Sequence, residues 1–463
     1  MRKMAGLAVM IGAALAAGCN SNNDSNTPEP SAKNVIFFLG DGMGLNTLTA
    51  SRIYGVGEEG SLTIDTLPET AFIKTFSHDA QVTDSAPSMA AYMTGVKSNN
   101  GVISMDSDAT QESDCSQSGG KAVTTLLELA KADGRGTGVV TTTRVTHATP
   151  AATYAHICNR DLEADIAAQL VPGGSGYNSA LKEGLDVVLG GGSSFFLPSA
   201  DKGKRTDGRN LIDEMKAKGY QFAATLDELN QADASKPLLG LFGSSHMKYD
   251  LDRPASEPSL AQMTLAAIKQ LKDKEKGYFL MVEGGRIDHA LHDTNAKRAL
   301  QDTLAFDNAI QAAINEVKKT DPELKNTLIV VTADHDHTLV LNGYAKRTGK
   351  TTAGNAGVLG LVKNYETGEP SKDSDGMPYT IIGFGNGYNR VDGPRSSVAA
   401  LDDATTSADD YHQEVVVKVG EIGNETHGGT DVFLGAIGQG AERFHGSLDN
   451  TAVFGKIKAA AKL

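Results

Sequence analysis

Cysteine is scarce, with three in 463 residues. That number is too small for a multi-bridge disulfide framework or an all-cysteine zinc site. Positive charge is also short: 43 Lys and Arg stand against 57 Asp and Glu, for a formal net charge of −14. That excludes nucleic acid and anionic membrane as general partners, although a few Arg or a metal can still create a local anion site. Common nucleotide and hydrolase signatures are missing as well. No G-x-x-x-x-G-K-[ST] occurs, "GDGMG" lacks the G-x-G-x-x-G spacing, and there is no G-x-S-x-G nucleophile elbow. "DSDATQESD" alternates acids but carries no glycine at the sixth place of an EF-hand loop, so it reads as a surface loop.

A long apolar run is absent too. "MAGLAVMIGAALAAG" follows Arg2 and Lys3 and is too short for a comfortable membrane span, so residues 1–18 read as a secretory signal. "LAAGC" sets small residues directly before Cys19 and resembles a bacterial lipobox, whose cysteine is lipidated after cleavage; a plain signal with an incidental Cys19 is the alternative. "NSNNDSNTPEPSA" then reads as a flexible tether, giving a tether over 19–32 and a domain over 33–463. Either reading places the protein outside the cytoplasm, in the periplasm or anchored to a membrane. In an oxidising compartment Cys115 and Cys158 can pair.

What the chain does have is a set of short apolar runs that resemble buried parallel strands: "NVIFFLG", "GTGVVTTT", "YFLMVEGG", "TLIVVTADHDH" and "DVFLGAIG". Helical patterns such as "SLAQMTLAAIKQLKDKEK" and "TNAKRALQDTLAFDNAIQAAINEVKK" lie between them. The alternation predicts an α/β fold, a doubly wound, mostly parallel central sheet with helices on both faces. No internal repeat or second domain shows, and residues 341–425, rich in Gly, Ser and Asp, read as an insertion.

The strands end in ligand-type residues. "VIFFLG" runs into Asp41, "GVVTTT" leads to His147 and Thr149, Glu283 closes "YFLMVE", and "TLIVVTA" meets Asp334 and His335. Open α/β sheets bind ligands at the carboxyl ends of their strands. So many carboxylates at one edge would repel and protonate without cations, and mixed Asp/His sets suit zinc while all-oxygen sets suit magnesium. Asp288 and His292, four apart, share one face if "EGGRIDHALHDT" is helical; a solvated helix start is the alternative. "DHDH" is either a metal site or a polar turn, and His427 alone reads as a loop histidine. Ser85 opens a helical pattern with Pro87 in its first turn and Gly95 near its end. It is either the helix cap or a nucleophile at an anion-attracting helix terminus.

Together "GDGMG", "VTDSAPSMAAYMTGVK", "TTTRVTHATPAATYAH", "EGGRIDHALH", "TADHDH" and "ETHGG" resemble the alkaline phosphatases, in the family's order, and most of all the branch shared by animal and many marine bacterial enzymes. The resemblance implies a phosphomonoesterase with two zinc ions and one magnesium. It implies Ser85 as the nucleophile that becomes phosphoserine, and Arg160 as the clamp on the phosphoryl oxygens. It implies Asp288, His292 and His427 on one zinc, and Asp41, Asp334 and His335 on the other, with Ser85 joining during turnover. Magnesium would take Asp41, Thr149 and Glu283; on spacing alone Thr149 is equally a cap before Pro150. His147 would stand beside the magnesium ligands, His289 near the phosphate, and His337 would orient Asp288, while Asp336 reads as a solvated turn. In the family such an insertion often forms a crown at a homodimer interface, although monomeric members exist; the lipid anchor follows from Cys19 alone.

The alternatives are a superfamily relative acting on phosphodiesters or sulfate esters, and a secreted protein that binds metal or phosphate without catalysis. The sulfatase C-x-P-x-R motif is absent. Diesterases usually lack the third-metal set that Thr149 and Glu283 complete. An intact nucleophile with Arg160 speaks against mere binding.

Overall fold

The structure, a computed structural model, describes residues 31–463. The signal over 1–18, Cys19 and all but the end of the tether lie outside the described residues.

Ten strands form the central sheet: β1 (Asn34–Gly40), β2 (Glu69–Lys74), β3 (Gly136–Arg144), β4 (Val187–Gly191), β5 (Gln221–Ala223), β6 (Leu238–Leu241), β7 (Tyr278–Gly284), β8 (Thr327–Ala333), β14 (Val432–Gly438) and β15 (Gly446–Asp449). Their order is β15-β2-β14-β8-β1-β7-β3-β4-β6-β5. Strands β1, β7 and β8 are buried on both faces, which is why their sequences are continuously apolar rather than alternating. Helices cover them. The helix Ala296–Lys318 packs Phe306 edge-on against Phe38 of β1, ring centroids 5.9 Å apart. The helix Leu260–Leu271 lies beside it, started by a Ser259–Gln262 capping box.

Strand β14 departs from expectation. "DVFLGAIG" reads as a parallel strand, but β14 runs antiparallel to both β8 and β2. The cause is the direction of entry. The preceding residues, β13 (His427–Gly428), pair with β9 (Asp336–His337) just beyond the carboxyl end of β8, so the chain enters the sheet from that edge.

The same small ladder overturns the solvated turn at Asp336. Asp336 is only 4 % exposed and accepts a hydrogen bond from Thr430 Oγ1. Burial pushes its carboxyl above the usual range, and the Thr430 bond only partly offsets this. Strands β9 and β13 fold over "GDGMG", whose glycines admit them: a Cβ on Gly44 would fall 1.5 Å from Asp336 Oδ1. That close approach, rather than a dinucleotide, accounts for the glycine at this position.

The segment expected as an insertion carries more order than its composition suggests. It contributes β11 (Ile382–Gly387) and β12 (Val415–Lys418), which join β10 (Leu339–Leu341) in a separate three-stranded sheet. No helix among the described residues is long and apolar enough to cross a membrane.

Candidate active site and metal centre

The carboxyl edge of β1, β7, β8 and β3 gathers the predicted residues. Asp41 follows β1 directly, Glu283 lies one residue from the end of β7, and Asp334 and His335 follow β8. Two short helices complete the wall, Ala148–Tyr154 after β3 and Arg286–His292 after β7. The helix Ser85–Thr94 is docked onto the end of β8 by Ser88 Oγ, which donates to Asp334 O at 2.7 Å, and by Tyr92 Oη, which donates to Ala333 O at 2.8 Å.

The helix termini remove the capping reading at two positions. Asp84, not Ser85, caps the helix Ser85–Thr94, accepting from Ala86 N at 2.7 Å. The Ser85 hydroxyl is thereby free, 2 % exposed, 3.3 Å from His335 Nε2 and 3.4 Å from Asp41 Oδ1. Thr149 is likewise no cap, since that helix starts at His147 without a side-chain cap; its Oγ1 lies 3.4 Å from Asp41 Oδ2.

Three clusters of donor atoms result. In the first, His292 Nε2 and His427 Nε2 stand 3.3 and 3.5 Å from Asp288 Oδ1 and 3.1 Å from one another. In the second, His335 Nε2 is 3.3 Å from Asp41 Oδ1 and 3.5 Å from Asp334 Oδ2. In the third, Asp41, His147 and Glu283 bring ligand atoms within 4.8 Å of each other. Thr141 Oγ1 and Thr143 Oγ1 both donate to Glu283 Oε2. Glu283 Oε1, His147 Nδ1 and Asp334 Oδ2 are buried without a hydrogen-bond partner among the described residues.

Three of the imidazoles are oriented by main-chain carbonyls. Nδ1 of His292 faces Glu425 O, that of His427 faces Thr83 O at 2.8 Å, and that of His335 faces Asp336 O at 3.2 Å. A carbonyl can only accept, so each Nδ1 carries a proton, and in the neutral rings Nε2 turns a lone pair inward. For His292 burial lowers the pKa, but the charge and hydrogen bond of Asp288 outweigh it and raise it. Burial, then His335, lowers His427 to about 4, which keeps the ring neutral. Burial also lowers His335. The carboxylates show the opposite strain. Burial, then the charge of Asp288, lifts Asp41 to about 7, and burial, then Asp41, lifts Asp334 to about 7. Glu283 is pushed well up by burial and by Asp41. Inward lone pairs, orphaned oxygens and carboxylates that cannot all ionise together fit divalent cations, with nitrogen-rich and oxygen-rich positions side by side.

A model of the alkaline phosphatase family matches residues 32–463. The chain belongs to the alkaline phosphatase family. It is 38 % identical over 448 residues to the tissue-nonspecific alkaline phosphatase isozyme of Gallus gallus, covering 90 % of this chain and 82 % of that one. The Homo sapiens isozyme also matches at 38 %, with 90 % and 81 % covered, and the membrane-bound alkaline phosphatase of Bombyx mori at 38 %, with 93 % and 80 %. Among solved structures, Thermus thermophilus alkaline phosphatase has a TM-score of 0.67 at 26 % identity, covering 94 % of this chain and 92 % of that one. The enzyme of the Antarctic bacterium TAB5 has a TM-score of 0.64 at 25 % identity, with 94 % and 98 % covered, and a variant of it was solved with Mg bound in its M3 site. This alkaline phosphatase is a phosphoric monoester hydrolase of a metal-dependent family.

The remaining residues flank the clusters. Arg160 Nη1 lies 3.1 Å from Asp84 Oδ1, and its Nη2 donates to His147 Nε2 at 3.1 Å. His289 Nδ1 accepts from Arg286 Nη1 at 2.9 Å, and its ring lies against those of His246 and His147. His337 bridges Asp288 and Glu425. Cys115 and Cys158 form a disulfide two residues before Arg160. Sequence reasoning missed Asp84, His246, Arg286 and Glu425. Asp84, Arg286 and Glu425 stand inside quoted motifs as capping-type, helix-start and loop residues. His246 belongs to no motif, so no signal could have found it.

Proposed function

We propose that hydrolysis runs through a phosphoserine at Ser85, with two zinc ions and one magnesium per chain. Asp288, His292 and His427 would hold the first zinc, Asp41, Asp334 and His335 the second, and Asp41, Thr149 and Glu283 the magnesium. Bound there, the ions supply Lewis acidity to the serine oxygen, the departing oxygen and the water that follows.

The chain's own groups position the reaction. Ser85 Oγ attacks phosphorus in line, the ester P–O bond breaks and the alcohol leaves; water then displaces the serine oxygen and releases inorganic phosphate. Arg160 offers a planar fork that matches two non-bridging oxygens, with Asp84 steadying one of its nitrogens. Because Arg286 can only donate, His289 Nδ1 is an acceptor and the ring proton sits on Nε2, available to phosphate through water. His147 supports the magnesium ligands, and His337 supports Asp288.

The observation that carries this reading is the buried, uncapping Ser85 hydroxyl facing His335 Nε2 and Asp41. The test is hydrolysis of a chromogenic phosphate monoester at alkaline pH, with and without chelator, by wild type and Ser85→Ala. Loss with chelator, recovery with zinc plus magnesium, and a deficit of at least about 1,000-fold in Ser85→Ala are expected. A metal-loaded wild type without monoesterase activity would refute it. We further propose export with a lipid on Cys19, read out by acyl labelling lost in Cys19→Ser, and a homodimer through the insertion, read out by light scattering.

A further inference from the structure

Glu425 is 1 % exposed, and both of its carboxylate oxygens are engaged. Oε2 accepts from His337 Nδ1 at 2.6 Å, and Oε1 accepts from Thr338 N at 2.8 Å and from Thr338 Oγ1. On the far side of the same ring, His337 Nε2 lies 2.8 Å from Asp288 Oδ1. The main chain of Glu425 also meets His292: its carbonyl accepts from His292 Nδ1, and its N–H donates to His292 O at 3.3 Å. His427 follows two residues later. The His337 ring also lies against that of His427, centroids 5.1 Å apart, so Glu425 touches, directly or through one ring, every protein group assigned above to the first zinc.

The same carboxylate closes a second connection. Thr338 and Glu425 stand at the entry to and exit from the segment that carries β11 and β12. Asn386, within β11, ties them together. Its Oδ1 accepts from Thr426 N at 3.0 Å, its Nδ2 donates to Thr426 Oγ1 at 2.8 Å, and its N–H donates to Thr338 Oγ1 at 3.4 Å. Polar groups from the insertion and from the zinc ligands thus form one hydrogen-bonded clasp.

We propose that Glu425 is the positioning residue of the first zinc set, and that the Thr338–Glu425–Thr426–Asn386 clasp makes retention of that ion depend on the insertion. The inference rests on the assignment of Asp288, His292 and His427 made under the proposed function. Its physical basis is orientation. Asp288 Oδ1, the oxygen that faces both imidazoles, is bonded by His337 Nε2, and the other nitrogen of that ring is bonded by the Glu425 carboxylate. Partners one bond behind a metal ligand typically set about 10–100-fold in affinity.

The test follows zinc leaving the loaded protein into a chromophoric chelator, for wild type, Glu425→Gln, Glu425→Ala and Asn386→Ala. Glu128→Gln, an equally buried carboxylate that pairs with His156 away from the metal clusters, is the control. One zinc equivalent should leave about 10–100-fold faster from Glu425→Ala. The same equivalent should leave more modestly faster from Glu425→Gln and Asn386→Ala. The other equivalent should keep the wild-type rate, and Glu128→Gln should match wild type throughout. Cobalt substitution should show a changed d–d spectrum for one site only. Wild-type release of both equivalents from the folded variants would overturn the proposal. So would acceleration of both together in step with a fall in Tm, which marks general loosening. A wild type that hydrolyses monoesters and holds two zincs while the variants match it leaves the proposed function standing and removes this inference alone. A wild type that takes up no zinc removes both.

Discussion

Removing the Cys115–Cys158 bridge should cost stability without costing catalysis. The two cysteines are 43 residues apart in sequence, and the bond closes the loop between them. Loop-closure entropy for a ring of that size is worth about 4 kcal/mol at 25 °C. At roughly 2.1 cal/mol/K of unfolding entropy per residue, a domain of about 430 residues unfolds with about 0.9 kcal/mol/K. The expected fall in Tm is therefore only about 4 °C. Cys158 is buried and Cys115 is partly exposed, so the double variant Cys115→Ser with Cys158→Ala leaves neither a free thiol nor a buried hydroxyl. Arg160 has an independent anchor, its N–H donating to Gly101 O at 2.8 Å, so the clamp should stay in place. Scanning calorimetry at a fixed scan rate and zinc concentration, with kcat and KM at alkaline pH, checks both halves. A Tm change below about 1 °C would refute the loop-entropy argument. A loss of kcat/KM beyond about tenfold would refute the claim that Gly101 suffices to hold Arg160.

Two further outcomes follow from single contacts. Arg160→Lys keeps the charge but gives up the fork, and losing one charged hydrogen bond of about 1.5–3 kcal/mol should lower kcat/KM about 10–100-fold and weaken phosphate inhibition in parallel; unchanged phosphate inhibition would count against the clamp. Glu128, which is buried, and His156, which is half-buried, pair at 2.7 Å, and His156 Nδ1 faces Ser104 O at 2.8 Å. For His156, burial lowers the pKa but the Glu128 bond and charge outweigh it, so the value rises above 6.5. For Glu128, burial raises the pKa but the His156 bond outweighs it, so the value falls below 4.5. The histidine's contribution is complete below pH 6.5 and lost as pH climbs through its raised value; the carboxylate's is complete above pH 4.5 and lost as pH drops through its lowered one. Glu128→Gln should therefore cost most Tm between pH 4.5 and 6.5 and less on the alkaline side, with equal losses at pH 6 and pH 10 as the contrary result.

Much of the site was legible because its information is local. An apolar run buried on both faces needs no partner to be recognised, and Asp41, Asp334 and His335 follow such runs directly. Asp288 and His292 share one short helix, so four-residue spacing already placed them together. What stayed hidden depends on distant chain. Asp336 is buried by Thr430, 94 residues on, and by the missing side chain of Gly44. Glu425 reaches His337 across 88 residues. The direction of β14 follows from where the preceding ladder leaves the chain, which no property of "DVFLGAIG" records.

The most instructive case is "TDSAP", which offers two adjacent residues that both cap helices well. Local preference cannot choose between them. The structure chooses Asp84 because its carboxylate also serves Gly101 N and Arg160, bonds a hydroxyl one residue later could not make together. That choice has a chemical consequence: a capping Ser85 would turn its oxygen toward a backbone N–H as an acceptor, blunting it as a nucleophile. By taking the cap, Asp84 leaves Ser85 Oγ facing His335 Nε2 and Asp41, and it holds Arg160 beside the same helix terminus. One carboxylate thus sets the placement of both groups that meet the phosphoryl centre in the proposed reaction. Capping chemistry alone, read from five letters, could give only half of that account.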